Sequence, residues 1–377
     1  MTRRRHAEIA GAGIAGLASA IGLAMRGWSV RLHERSAAIR TDGAGIYIWD
    51  NGLRVLAALG AEADATRGCH MGVMRETRDD RNRTVARAVW GREPGHRVVS
   101  IVRAQLLSAL IGRARSHGVD LRFGSEIVSA TSDGVATLAD GTSARADLIV
   151  GADGINSRVR DGLGLLESRS PLGDGAIRVM IDRRPEERTS AEGSKYVEYW
   201  SWFRRILYTP VSDDQIYLAL TTLDDDIPGK TVPLRKDVWT KSFPHVADLI
   251  ARIGEDGRWD RFEVVKLRRW FKGRVAIVGD AAHAMAPNLG QGGGCALMNG
   301  LALAVALEGP GDIEAQLAEW ERRERPLTEH TQRISSFYSR VTTMPPLLRA
   351  LVLAWAGRSS WAMEQRLRTA RHVPTGT

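Results

Sequence analysis

The apolar positions change period repeatedly along the chain. Residues 7–10 read as a short apolar strand, and residues 11–26 then place Ile14, Leu17, Ala18, Ile21 and Ala24 at helical spacing on one side. A second apolar strand follows at 28–32. Strand, glycine-rich turn, helix and strand in that order predict a parallel, doubly wound sheet. Helical patterns recur at 53–59 and 104–117, and short strands at 121–125, 127–131 and 135–138, with Asp140-Gly141 as a tight turn. A further buried strand is expected at 147–150. From about 170 to 269 the pattern becomes alternating aromatic and polar runs, as at 195–202, 206–209 and 216–220, which predicts an antiparallel sheet in a separate lobe. Buried parallel strand returns at 275–278, and a helix follows at 291–307. The first lobe is therefore expected to be discontinuous and closed by a distant segment.

These periods give a two-lobed α/β chain: a doubly wound, Rossmann-like domain, an antiparallel lid-like lobe and C-terminal helices. The expected division is 1–74, 101–170 and 271–335 for the first lobe, 75–100 and 171–270 for the second, and 336–377 for a helical end. A length of 377 residues suits such a unit. With 44% hydrophobic and 26% charged residues, disordered, collagen-like and coiled-coil chains are excluded. The net charge is +9, carried almost wholly by arginine because only six lysines are present. It reads as spread along the chain, with Arg3-Arg4-Arg5 a solvated end, which argues against a nucleic-acid partner and suits an anionic substrate or dinucleotide. Cys69 and Cys295 have neither disulfide-framework nor zinc spacing, and no metal site is expected. Residues 346–356 are apolar apart from Arg349 but too short to span a bilayer. A cytoplasmic protein without stable membrane insertion is expected, as a monomer or homodimer.

Three segments carry candidate chemistry. In Gly11-Ala12-Gly13-Ile14-Ala15-Gly16, Gly11 permits the turn, Gly13 lets a pyrophosphate approach the backbone, and Gly16 lets helix and strand pack closely. The helix start offers free N–H groups to phosphate, and Glu34 ends the second strand where a carboxylate accepts from a ribose. In the second segment a strand runs into Asp153-Gly154 and a helix start near Ser157, where helix capping and ligand binding are equally good accounts. In the third, a strand ends at Gly279-Asp280-Ala281-Ala282-His283, followed by Pro287 and Gly290-Gln291-Gly292-Gly293-Gly294. Asp280 could accept from a polyol, and the loop N–H groups could stabilise an anionic ring.

Together, in this order and spacing, the three segments resemble the class A flavin-dependent aromatic monooxygenases, across nearly the whole chain. The resemblance implies non-covalent FAD, held at Gly11, Gly13, Ile14, Ala15, Gly16, Glu34, Arg35, Gly45, Arg103, Asp153, Gly279, Asp280, Pro287 and Gly290 through Gly294. It implies NAD(P)H as donor, bound transiently, and oxygen transfer from O2 through a flavin C4a-hydroperoxide to a small aromatic or pyridine-like ring, anionic in charge, with ring opening as one outcome. Residues 43–60, 205–220 and 279–299 are similar to the pyridine-ring branch of the family, acting on 2-methyl-3-hydroxypyridine-5-carboxylate. Gly294, Met298 and Asn299 replace the asparagine, glutamate and aspartate most members carry there, and that branch departs similarly. By the same resemblance Arg178, Arg205 and Tyr217 face the substrate, Tyr47 lies beside the flavin, and Tyr217, Arg205 and Pro287 are the catalytic candidates. Arg75 and Phe262 stand where tyrosines are expected, so the reaction class carries over more firmly than the substrate.

Each side chain also has a plainer account. Arg75 is solvated or points inward, Tyr217 is a core aromatic or a substrate ligand, and Trp200 and Trp202 pack under a sheet. Trp200-Ser201-Trp202 resembles the WxW element of flavin halogenases, but Phe203-Arg204 follows instead of the Ile and Pro expected there. His283 supports the loop. The segment 340–368 has the pattern of an amphipathic membrane helix, but a helix packed on the flavin lobe or a dimer contact is the better account. A Baeyer–Villiger oxygenase or oxidase, and a flavin-binding module without turnover, are the competing functions.

Overall fold

The computed structural model describes residues 4–38 and 44–377. Arg3 and Gly43 lie outside the described residues. The helix Ile14–Met25 (IAGLASAIGLAM) is buried at every position from Ile14 to Leu23. A helix apolar on all sides must be covered on all sides. Here one side meets the parallel sheet and another the helix Gly292–Ala306, itself buried from Gly294 to Ala304. Gly22 and Gly300 let the two helices approach: a Cβ on Gly22 would sit 2.8 Å from that of Ala304.

The sheet under them has β1 (His6–Ala10) at its centre, flanked by β2 (Ser29–Glu34) and β12 (Leu148–Gly151). Outside these lie β8 (Asp120–Phe123) and β19 (Val275–Ile277), all parallel, and β18 (Phe271–Lys272) closes one edge antiparallel. This is the doubly wound sheet expected, completed by a strand from far along the chain. A small antiparallel sheet of β9 (Ile127–Ala130), β10 (Val135–Leu138) and β11 (Ser143–Arg145) lies between β8 and β12 in sequence. A second small sheet, β3 (Gly45–Trp49), β7 (Val98–Val102) and β4 (His70–Met71), bridges towards the other lobe.

That lobe is a seven-stranded sheet in the order β17 (Trp259–Leu267), β13 (Leu166–Asp182), β16 (Gln215–Leu223), β15 (Arg204–Pro210), β14 (Tyr196–Ser201), β5 (Met74–Arg78), β6 (Thr84–Val89). It is not wholly antiparallel: β14 pairs with β5 in parallel, because β5 arrives from the first lobe rather than by a hairpin. Strand alternation sorts its side chains. Ile177, Val179, Ile206, Tyr208, Ile216, Leu218 and Leu220 point to a core shared with Trp239, Phe243 and Ile250 from short covering helices. The alternate set, Arg178, Glu198, Arg205, Tyr217 and Thr221, faces the first lobe.

Several expectations are corrected. A 30-residue helix, Ile313–Thr342, runs through the boundary placed at 335, and β5 and β13 run through those placed at 74 and 170. The helix Pro346–Arg358 packs on β6 of the substrate sheet rather than on the flavin lobe. Trp202 does not pack under the sheet: it sits at the β14–β15 turn with φ +49 and is 67% exposed. Trp200 is buried, between the guanidinium groups of Arg205 and Arg349.

Candidate functional site: a two-part cavity between the lobes

The turn after β1 shows which of its glycines the protein itself requires. Gly11 adopts φ +100, and a Cβ there would lie 2.4 Å from the Ala152 carbonyl oxygen. A Cβ on Gly16 would lie 2.0 Å from the carbonyl oxygen of Gly11, whereas one on Gly13 would meet no protein atom within 4 Å. Gly13 opens instead onto a cavity of about 890 Å³, whose walls include Gly11, Glu34, Arg35, Arg103 and Asp153. The Glu34 carboxylate accepts from the backbone amides of Ala12 (3.0 Å) and Ser36 (2.9 Å), which fixes it at the mouth of the turn. Asp153 caps the short helix Arg158–Gly162: one oxygen accepts from the amides of Arg158 (2.8 Å) and Val159 (3.3 Å). Its other oxygen is buried without a partner among the described residues, and burial holds its pKa above the usual carboxylate range.

Gly13, Arg103, Gly154, Arg178 and Asp260 belong to this cavity and also to an inner chamber of about 510 Å³. Ile14, Ala15, Gly279, Asp280, Pro287, Gly290, Gly292 and Gly293 line the chamber from the first lobe. Gly279 (φ +63) turns the chain so that Asp280 is exposed to the chamber yet enclosed by the protein around it. That enclosure raises its pKa, with Arg103 and Arg178 pulling the other way.

From the sheet side come Arg75, Arg178, Glu198, Arg205 and Tyr217, so Arg75 points inward. The arginines arrive already paired. Arg178 donates to Asp260 at 3.0 Å, Arg205 to Glu198 at 3.1 Å, and Arg75 lies 3.7 Å from Glu198. Burial pushes the Glu198 carboxyl up, but Arg75, Arg205 and Arg366 outweigh it and hold it below its ordinary value. Arg205 also donates to Asn288 at 2.9 Å, tying the sheet to the Pro287 loop. The Tyr217 ring packs against Gly45, where a Cβ would come within 2.6 Å of it, and burial raises its phenol pKa. Phe262 lies under the Arg178 guanidinium at 5.9 Å. On one side Tyr47, Trp49, Trp90 and Tyr196 form an aromatic bay, with edge-on contacts of 5.2 Å for Tyr47–Tyr196 and 5.3 Å for Trp49–Trp90.

Not every expected residue reaches the cavity. Gln291 points away and donates to the Arg366 carbonyl at 2.8 Å, Gly294 packs against Asn51, and Gly16 serves the packing of helix on turn. His283 is buried behind the loop, its Nε2 accepts from the Asn299 side-chain amide at 2.9 Å, and burial pushes its pKa down to about 4. Residues not anticipated include Glu198, Asp260, Trp49, Trp90, Tyr196 and Arg366. The alternation of 195–202 carried a signal for Tyr196 and Glu198, which share a face with Trp200. No local pattern pointed to Arg366.

Comparison with known proteins adds independent findings. The profile of a family described as FAD binding domain matches residues 5–325. A protein of Rhodococcus erythropolis, provisionally named a 2-heptyl-3-hydroxy-4(1H)-quinolone synthase, is 45% identical over 371 residues, covering 98% of this chain and 97% of its own. The 2-heptyl-3-hydroxy-4(1H)-quinolone synthase of Mycobacteroides abscessus is 40% identical over 356 residues, covering 94% and 95%. Among solved structures, a tetrameric form of 2-methyl-3-hydroxypyridine-5-carboxylic acid oxygenase superposes with a TM-score of 0.89 at 38% identity, covering 99% of this chain and 97% of that one.

Proposed function

This chain belongs to the FAD binding domain family and is an FAD-dependent monooxygenase, and on that premise we propose that it hydroxylates a neutral, fused N-heteroaromatic ring of the 2-alkyl-4(1H)-quinolone type at ring carbon 3. The residues present fit the flavin. Gly13 leaves its side open to the outer cavity, where Glu34 and Arg35 would take the adenosine; Arg103 lines both cavities, with Asp153 in the outer one and Asp280 in the inner. Pro287, Gly290, Gly292 and Gly293, at the start of a 15-residue helix, would face the ring system with N–H groups and a positive helix end. Bound FAD, reduced by NAD(P)H, supplies oxygen activation: one atom of O2 enters the substrate, the other leaves as water, and NAD(P)H is oxidised.

The observation that carries the substrate class is that two carboxylates, Asp260 and Glu198, already engage three of the arginines that line the chamber. Three arginines would anchor a carboxylate if they were free, but Asp260 and Glu198 already hold them. A neutral ring with one carbonyl and one ring N–H is the better complement. Tyr217 and Arg178 can donate to the carbonyl, and the ionised Glu198 is an acceptor for the N–H. The aromatic bay then receives the apolar substituent. Carbon 3 of such a ring is enriched in electrons by the ring nitrogen, so the chamber needs to orient the ring and exclude water rather than supply a separate base.

The structural likeness to the pyridine-carboxylate oxygenase supports a second reading, an anionic pyridine held by the same arginines. One assay separates them: NAD(P)H consumption by the flavin-loaded protein with 2-heptyl-4(1H)-quinolone or 2-methyl-3-hydroxypyridine-5-carboxylate, followed by product mass under labelled O2. Stimulation by the quinolone, with one labelled oxygen in its product, is expected. Stimulation by the pyridine carboxylate alone would overturn the quinolone reading.

A further inference from the structure

The C-terminal helices carry the largest concentration of exposed apolar side chains among the described residues. On the helix Pro346–Arg358, Leu347, Leu348, Leu351 and Trp355 are 84, 49, 70 and 56% exposed. Their spacing puts them on one face. The opposite face packs on β6, with Arg349 buried against the Trp200 ring and donating to the Trp202 carbonyl. Trp361 on the next helix (61% exposed) and Phe337 on the preceding one (46%) flank the stripe.

The same segment corrects the reading that the charge is evenly spread. Residues 331–377 hold seven arginines against the single acidic residue Glu364, six of the chain's nine net positive charges. Arg333, Arg340, Arg358, Arg368 and Arg371 are exposed, Arg358 in the last turn of the helix Pro346–Arg358 and Arg340 in the last turn of the helix before it.

We infer that this face is a docking surface for an anionic lipid bilayer, on which the helix Pro346–Arg358 lies flat with Leu347, Leu348, Leu351 and Trp355 in the headgroup region. Leucine and tryptophan on one face of a helix, in a segment with a large excess of arginine, form the pattern of a helix that rests on a membrane without crossing it. No helix among the described residues is long and apolar enough to cross one. A second copy of the chain is the poorer occupant, because a twofold contact would bring the excess arginines of both copies together. The location also has a use. A cavity of about 30 Å³ under this helix is lined by Leu353, Ala356 and Met363 and shares Arg75, Glu198, Arg205 and Arg366 with the chamber. The docked face thus lies one layer of side chains from the site, so a substrate dissolved in lipid would be released close to it. That last step rests on the proposed substrate class; the docking surface does not.

The test is sedimentation of the flavin-loaded, full-length protein with phosphatidylcholine vesicles, with and without phosphatidylglycerol, at low and high salt. Partitioning is expected to be about tenfold stronger on the anionic vesicles and to weaken with salt. The double variant Leu351→Glu, Trp355→Glu, at exposed positions away from the chamber, is expected to lose that partitioning while keeping its flavin and its unfolding midpoint. No binding by the wild-type protein, or equal binding by the variant, would overturn the inference. So would a drop in the variant's mass by sedimentation velocity without vesicles, which would make the face a contact between copies. Because vesicle binding is read without substrate, failure of the quinolone reading would leave this result standing.

Discussion

Glu198 decides whether the chamber favours a neutral ring or an anion, and Glu198→Gln tests this directly. The carboxylate is 7% exposed and serves two guanidinium groups, Arg205 at 3.1 Å and Arg75 at 3.7 Å. Glutamine keeps the shape and one acceptor oxygen but removes the charge. Breaking a fully buried pair costs about 3–5 kcal/mol. Both arginines border a chamber that water can enter, so about 2–3 kcal/mol of lost stability is the expected cost, read as a lowered unfolding midpoint. A ligand carboxylate reaching the freed guanidinium groups would gain about 1.5–3 kcal/mol from charge-assisted hydrogen bonding, roughly ten- to a hundredfold in Kd. A quinolone would bind more weakly, because the acceptor for its N–H is now neutral. The assay is a titration of the flavin absorbance of wild type and variant with 2-heptyl-4(1H)-quinolone and with a pyridine carboxylate. The ratio of the two dissociation constants should move towards the carboxylate by at least tenfold. A ratio unchanged within a factor of about two to three would refute the reasoning, since the arginines would then not be restrained by Glu198.

Two further outcomes follow from the geometry. Gly13→Ala should be purified with little flavin, yet in flavin-free protein should unfold at the wild-type midpoint, because its Cβ meets no protein atom; Gly16→Ala, with a Cβ 2.0 Å from the Gly11 carbonyl oxygen, should lose stability in flavin-free protein as well. Retention of flavin by Gly13→Ala would move the pyrophosphate away from this turn. Asp174 is fully buried and burial pushes its pKa up to about 6, against the pull of Arg205. The folded chain therefore holds this proton more tightly than the unfolded one, so the group costs stability that first appears above about pH 4 and is complete above about pH 6. Asp174→Asn should raise the unfolding midpoint at pH 8, by an amount worth on the order of 2–3 kcal/mol, and change it little at pH 4. Equal effects at both pH values would show that Asp174 ionises normally in the fold.

What could be read from the chain beforehand was whatever is written in local order. The turn around Gly11, Gly13 and Gly16, the strand ends at Glu34 and Asp280 and the return of a distant strand at 275–278 all depend on spacing within a few residues, and all are seen. The long helix Ile313–Thr342 was not anticipated: its mean hydropathy is low and its buried face includes polar residues such as Glu321, Glu324, Thr331 and Gln332. These are satisfied by partners far along the chain. Glu321 accepts from the Trp270 amide at 2.9 Å, and Gln332 donates to the Val265 and Ala284 carbonyls. A polar face of that kind reads as solvent-facing until its partners are known. Gln291 and Gly294 show the complementary limit: a glycine-rich loop marks where a ligand can approach, but not which of its side chains turn inward.

The charge balance of the chamber is a further step removed from composition, because it depends on strand register. Alternation alone puts Tyr196, Glu198 and Trp200 on one face of β14, but it does not say which residues lie across from them. The pairing sets Trp200 opposite Arg205 and Glu198 opposite Leu207, while on the other side β5 sets Arg75 beside Tyr196 and Thr77 beside Glu198. Glu198 thereby becomes a diagonal neighbour of both Arg75 and Arg205, within the reach of long side chains. Slipping either neighbour by one residue would turn its arginine to the far face, against the aliphatic core. Glu198 would then face the chamber with one cation fewer. Arginines at these positions imply an anion-binding site only while their neighbours are unknown. Once the register supplies a carboxylate between two of them, and Asp260 on β17 supplies one to Arg178, the same residues become donors already engaged by carboxylates. Two proteins with the same arginines on the same sheet can therefore differ in substrate class through a single acidic residue on a neighbouring strand.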